Sequence, residues 1–286
     1  MLYGASRVGA RNSWFLLSLV ALFAISFSLP LFFTFKARDV FSGGAASSAD
    51  GDPFFPAFVG INAPGQHLEV APTGDLNPVA DRDFLVSAWF KLSRTPQVMD
   101  KVLLLSKVDG PSDSAAGFVL GLARDSDTIR PIVFWGNGAL GKWYSFSDIG
   151  TAVQGWFMLA LSLQEGKFLG LHLGIPVPGQ KTEVRLLGGY EIEDRIMAAS
   201  DAPLRLGAWG EGLFRGRIGP FGVFAPAPVG DELKQVLKAL ARDPLSPPPM
   251  FATKEVKLWS AEDGKDSSIF KRTVQLVRVG QKRKSS

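Results

Sequence analysis

Between about Phe54 and Phe224, apolar residues recur at alternate positions in short runs, and Gly, Pro, Asp or Asn interrupts the runs at roughly ten- to fifteen-residue intervals. Nothing in this region sustains a helical period, so the pattern predicts antiparallel strands over 57–61, 66–70, 84–92, 101–108, 117–124, 129–135, 142–148, 155–164, 168–174, 182–189, 202–209 and 214–224. In the last of these, Phe214, Gly216 and Ile218 fall on one face and Arg215 and Arg217 on the other, as expected for a sheet with one dry side and arginines turned to solvent. The pattern changes after Pro228. Leu233, Val236, Leu237 and Leu240 are spaced as one face of a helix, with acidic residues in its first turn and Pro244 beyond its end. An amphipathic helix lying on the sandwich is predicted there.

Two flanking regions depart from this pattern. From Trp14 to Phe35 the chain runs for 22 residues without a charge, and a helix of that length spans about 33 Å, enough for a bilayer core. Trp14 and Phe35 suit its two interfaces, Pro30 is tolerated near its end, and Ala21 and Ala24 permit close approach of another helix. The run exceeds a signal-peptide core, and Lys36 and Arg38 stand between it and the small residues that follow, so a retained single-span anchor is expected rather than a cleaved leader. Arg7 and Arg11 balance Lys36 and Arg38, so charge does not set the orientation. At the other end, residues 250–286 hold nine basic and four acidic side chains, so the basic excess of the chain is concentrated there. The segments 254–259 and 269–279 alternate like two strands about a polar turn, and Lys271, Arg272 and Arg278 are the candidates for anionic lipid headgroups or an acidic protein surface, against a simple solvated tail. The resulting division is a short segment 1–13, a transmembrane helix 14–35, a flexible linker 36–53, a sandwich 54–243, and a Pro-rich spacer with a basic arm over 244–286.

Composition narrows the chemistry. There is no cysteine, which excludes disulfides, thiol catalysis and Cys-ligated metal. The order of "AFVGINAPGQHLEVAP", "DRDFLVSAWFKLS", "GWFMLALSLQEGKFLGLHLG" and "PLRLGAWGEGLFRGRIGPFGVF" is similar to the laminin G-like, concanavalin A-like superfamily. The resemblance lies in Ser87–Ala88–Trp89, Gly155–Trp156, the Leu-x-Leu-Gly of 204–207, and Phe214, Gly216 and Ile218, and it covers about residues 55–240. It implies an all-β antiparallel jelly roll. Where members of the superfamily carry an Asp-Gly turn, this chain reads "LHLGIPVPG", which argues against a calcium or sugar site on that hairpin.

Catalytic signatures are sparse. "GNGALGKW" ends in Trp143 where a phosphate loop needs Ser or Thr, and a strand-like segment follows where a helix is required, so it reads as a hairpin turn. His67 and His172 have no neighbouring ligand residues. Glu191 and Glu193 share a strand face but lack the acidic motif of sandwich glycosidases, which would need one carboxyl as acid and one as nucleophile or base. Asp109, Asp113, Asp125 and Asp127 are weak calcium candidates in turns, and no other cofactor is expected. Trp135, Trp143 and Tyr144, beside the glycine turn, are the candidate sugar platforms.

These features point to a non-catalytic, membrane-anchored scaffold, an accessory subunit of a larger integral-membrane complex, energy-transducing or otherwise. The expected partners are membrane subunits and the bilayer, without nucleic acid. The alternatives are an envelope carbohydrate-binding module and a concanavalin A-like glycoside hydrolase. The expected placement is a bacterial inner membrane with the sandwich on the periplasmic side, or else the mitochondrial inner membrane.

Overall fold

The computed structural model describes residues 58–63, 66–78, 82–108, 115–176, 182–192, 200–207, 214–243, 256–260, 272 and 274–277. The expected anchor, with Trp14, Ala21, Ala24, Pro30 and Phe35, lies outside the described residues, as do Asp109, Asp113, Glu193, Lys271 and Arg278. Among the described residues no helix is long and apolar enough to cross a membrane.

The described strands are β1 (Val59–Ile61), β2 (His67–Val70), β3 (Phe84–Leu92), β4 (Lys101–Val108), β5 (Ala116–Asp125), β6 (Thr128–Asn137), β7 (Gly141–Ser145), β8 (Trp156–Gln164), β9 (Phe168–Ile175), β10 (Glu183–Glu191), β11 (Leu204–Leu206), β12 (Gly216–Phe224), β13 (Val256–Ser260) and β14 (Val274–Val277). One sheet runs β1-β12-β3-β8-β9-β10, with β13 also pairing β12, and the other runs β14-β2-β11-β4-β5-β6-β7. Every pairing is antiparallel. The two sheets form the sandwich that the alternation predicts.

Period-two alternation explains the layers. Phe84, Val86, Ala88 and Phe90 of β3, Phe157, Leu159, Leu161 and Leu163 of β8, and Leu169, Leu171 and Leu173 of β9 turn inward, where they meet Phe118, Leu120 and Leu122 of β5. The alternate residues of the first sheet, Leu85, Met158 and Ala160, face the other way and would be wet if left uncovered. Helix α1 (Gly230–Arg242) covers them with Leu233, Val236, Leu237, Leu240 and Ala241. Asp231 and Glu232 in its first turn and Arg242 in its last complement the helix dipole.

β12 shows why the glycine-rich stretch is a strand. Phe214, Gly216 and Ile218 are buried, and a Cβ on Gly216 would lie 2.1 Å from the Lys91 carbonyl oxygen, so only glycine lets β3 approach there. A register shift between Ile218 and Phe221 then returns Phe221 and Val223 to the core. Arg215 is exposed, as expected, whereas Arg217 is half-buried with its guanidinium 4.3 Å from the Phe58 ring centroid.

The C-terminal region differs from the expected free arm. Its two strands do not form a hairpin with each other: β13 joins β12 in one sheet and β14 joins β2 in the other. Each extends an edge that otherwise leaves backbone groups unpaired, which is the physical reason they dock rather than trail in solvent.

Candidate functional site

On one side of the sandwich the edge strand of each sheet, β7 and β10, comes face to face. Ser147, just past β7, donates to the Leu187 carbonyl from its N–H (3.4 Å) and from its hydroxyl (2.7 Å). The Tyr190 hydroxyl returns the link by donating to the Ser145 carbonyl. A groove of about 530 Å³ opens there, lined by Arg130, Ser145–Asp148 and Leu187–Tyr190, a volume within the usual range for small-ligand clefts.

Local sequence builds each wall. In β10 the register shifts between Leu186 and Gly188, and Gly188 has φ +147, a conformation that favours glycine. This irregularity sends Leu187 into the core while Tyr190 stands at the surface, 38% exposed. The Tyr190 ring is held by Tyr144 (centroids 5.0 Å apart) and by Phe146, edge-on at 5.2 Å. It is a fixed aromatic surface rather than a free side chain. The floor is set by Asp148, whose Oδ1 accepts from the N–H groups of Ile129 (2.8 Å) and Gly150 (3.0 Å) and so turns the chain from β7 into the short 3-10 helix Gly150–Gln154. Arg130 is exposed, and among the described residues its side chain makes no ion pair or hydrogen bond.

The sequence candidates separate in this frame. Trp143 and Tyr144 are successive residues of β7 and therefore point to opposite faces. Tyr144 turns inward under Tyr190, whereas Trp143 sits on the outer face, its ring 5.3 Å from that of Phe134 and 5.4 Å from the Lys101 ammonium. Trp135 is not a surface platform: its inward position in β6 puts it in the core, 5% exposed and stacked 6.2 Å from Phe118. Residues 136–143 form the expected hairpin turn, with the Asn137 side-chain oxygen accepting from Ala139 and Leu140.

Asp125 ends β5 and Asp127 sits in the turn to β6, where Thr128 Oγ1 donates to the Asp125 carbonyl. Among the described residues no group of three or more His, Asp or Glu side chains is placed to hold a metal. Glu191 is exposed at the end of β10. Arg272 is not available to a headgroup or partner. Its side chain is only 7% exposed, with its guanidinium on the Asp75 carboxylate and Nε donating to Thr73 Oγ1 at 3.3 Å. Tyr190 and Arg130 were missed from the sequence; the doubled glycine of "LLGGYE" is the signal for the irregularity that exposes Tyr190.

No family model and no curated protein matches the sequence. Among solved structures, the chain is similar to the enzymatically active domain of bacteriophage CBA120 tailspike protein 2, with TM-score 0.48 and 12% identity over 78% of this chain and 35% of that one. It is also similar to the Ruminococcus gnavus IT-sialidase CBM40, with TM-score 0.43 and 13% identity over 65% of this chain and 96% of that one. A third similar structure is a putative carbohydrate binding protein from Bacteroides ovatus, with TM-score 0.42 and 15% identity over 79% of this chain and 59% of that one. The chain spans only about a third of the tailspike domain.

Proposed function

We propose that the chain is a non-catalytic carbohydrate-binding module of the concanavalin A-like kind, binding through the groove between β7 and β10. One observation carries this reading: the half-exposed Tyr190 ring, locked by Tyr144 and Phe146, stands over a groove rimmed by hydroxyl and charged groups. A pyranose has an apolar C–H face and a polar rim of hydroxyls, and a rigid aromatic beside polar groups complements both. Pre-set geometry also reduces the ordering entropy lost on binding. Catalysis lacks a comparable basis, because Glu191 stands exposed at a strand end and hydrolysis needs a second, suitably spaced carboxyl.

The test is a glycan array followed by titration calorimetry with the purified full chain. Tyr190→Ala is expected to weaken every glycan bound by about tenfold, corresponding to roughly 1.5 kcal/mol of aromatic contact. Unchanged affinity in that variant would refute the site, and an array with no bound glycan would refute the function.

The uncharged run 14–35 supports a second reading, in which the same module is held at a membrane as an accessory subunit of a larger complex. Extraction in mild detergent with identification of co-purifying membrane proteins tests it. Recovery of the chain alone would count against it.

A further inference from the structure

Resting on the proposed glycan site, we infer that the groove selects anionic saccharides, sugars bearing a carboxylate or a sulfate ester, and that Arg130 reads the charge. The Tyr190 hydroxyl proton is directed to the Ser145 carbonyl and the Ser147 hydroxyl proton to the Leu187 carbonyl. Both oxygens therefore present lone pairs to a ligand and act as acceptors. Asp148 is an acceptor as well, with one oxygen already held by two backbone N–H groups. Arg130 is the strong donor of the set: a permanently charged fork of N–H groups that meets no carboxylate among the described residues.

A ligand that fits must then offer two things at once, an anionic acceptor for Arg130 and hydroxyl donors for Tyr190 and Ser147. A neutral sugar supplies only the second, and inorganic sulfate, which has no O–H, only the first. A sugar with a carboxylate or a sulfate supplies both on one rigid ring. The carboxylate of Asp148 does not meet the need of Arg130: the two groups line the same groove without forming an ion pair. Charge-assisted contacts of this type are stronger than neutral ones and add planar, bidentate selectivity.

The test uses the purified full chain against three oligosaccharide sets of equal length: uronic-acid, sulfated and neutral. The intact chain is expected to bind one or both acidic sets at least about tenfold more tightly than the neutral set. Carboxyl methylation of a bound uronic-acid ligand, or desulfation of a bound sulfated one, is expected to remove that gain, and the two acidic arms identify which anion is read. Arg130→Gln is expected to abolish the acidic-over-neutral preference while thermal unfolding stays unchanged, because Arg130 is exposed. Arg130→Lys is expected to restore part of the preference. Equal binding of acidic and neutral sets, or a preference that survives Arg130→Gln, overturns the inference and leaves the glycan site standing. Binding to none of the three sets, with no glycan bound on the wider array, overturns both.

Discussion

His172 shows how far a single side chain can be displaced by its layer. It lies on the outer face of β9, half-buried, with Nε2 3.2 Å from Ser162 Oγ, and burial lowers its pKa from 6.5 to about 4. The native state therefore keeps a neutral imidazole where the unfolded chain takes up a proton. The stability that depends on this difference is intact above pH 6.5 and is lost progressively as the pH falls from there toward 4, by an amount on the order of 3 kcal/mol. Urea unfolding at pH 7 and pH 4.5 measures the loss. A His172→Gln variant is expected to show a clearly smaller drop between the two, and an identical drop would show that other groups carry the acid sensitivity. Lys107 is a contrasting case, fully buried in β4 with its ammonium donating to the Ser200 and Ala202 carbonyls at 2.9 and 2.7 Å. Nothing in "KVLLLSKV" announces that arrangement, because the carbonyls come from a segment more than ninety positions away. Tyr190 was hidden for the same reason: its ring neighbours belong to the other sheet.

At the scale of elements, the period of the hydrophobic pattern was enough to find the strands. β3 and β4 coincide with the predicted spans 84–92 and 101–108, and α1 buries all four leucine and valine positions that its spacing selected. Alternation is a local property set by one dry face, so it survives in the sequence. Pairing is not local, and neither the edge positions of β7 and β10 nor the separate destinations of β13 and β14 were legible. The site depends on those edges, which is why Tyr144 was found and its partner was not. Helix α1 gives the sharpest element-level prediction. Leu237 is 2% exposed in the cluster with Met158, Trp156 and Phe224, so Leu237→Ala is expected to lower the unfolding free energy by about 2–4 kcal/mol through lost burial and a residual cavity. Chemical denaturation measures this. Glycan binding at saturation is expected to be unchanged, since α1 contributes nothing to the groove, and a loss of binding without a loss of stability would contradict this division of roles.

For the molecule as a whole, the question is what closes the sandwich on the side away from the groove. β14 pairs β2 over four positions, and β13 pairs β12 over four more, so the C-terminal strands cover one edge of each sheet. Val274 packs against the core, and Arg272 is fixed by Asp75 beside it. A solvated arm would contribute nothing to folding. These contacts instead make β13 and β14 part of what closes the sandwich, with backbone hydrogen bonds worth about 0.5–1.5 kcal/mol each partly offset by the entropy of ordering two strands. Deleting 250–286 is therefore expected to lower stability by at least about 2 kcal/mol and to expose two strand edges that promote association. Arg272→Ala in the full chain removes one charged contact and is expected to cost about 1–3 kcal/mol without the association. Urea denaturation with light scattering separates the cases. If the truncated chain unfolded at the same urea concentration as the intact one and stayed monomeric, the two strands would be dispensable to the fold, and the terminal charge would act only toward partners. A fall in stability accompanied by association in the truncated chain alone would make the terminus structural, and the search for an acidic partner would then shift from Arg272 to other basic residues of the terminal segment.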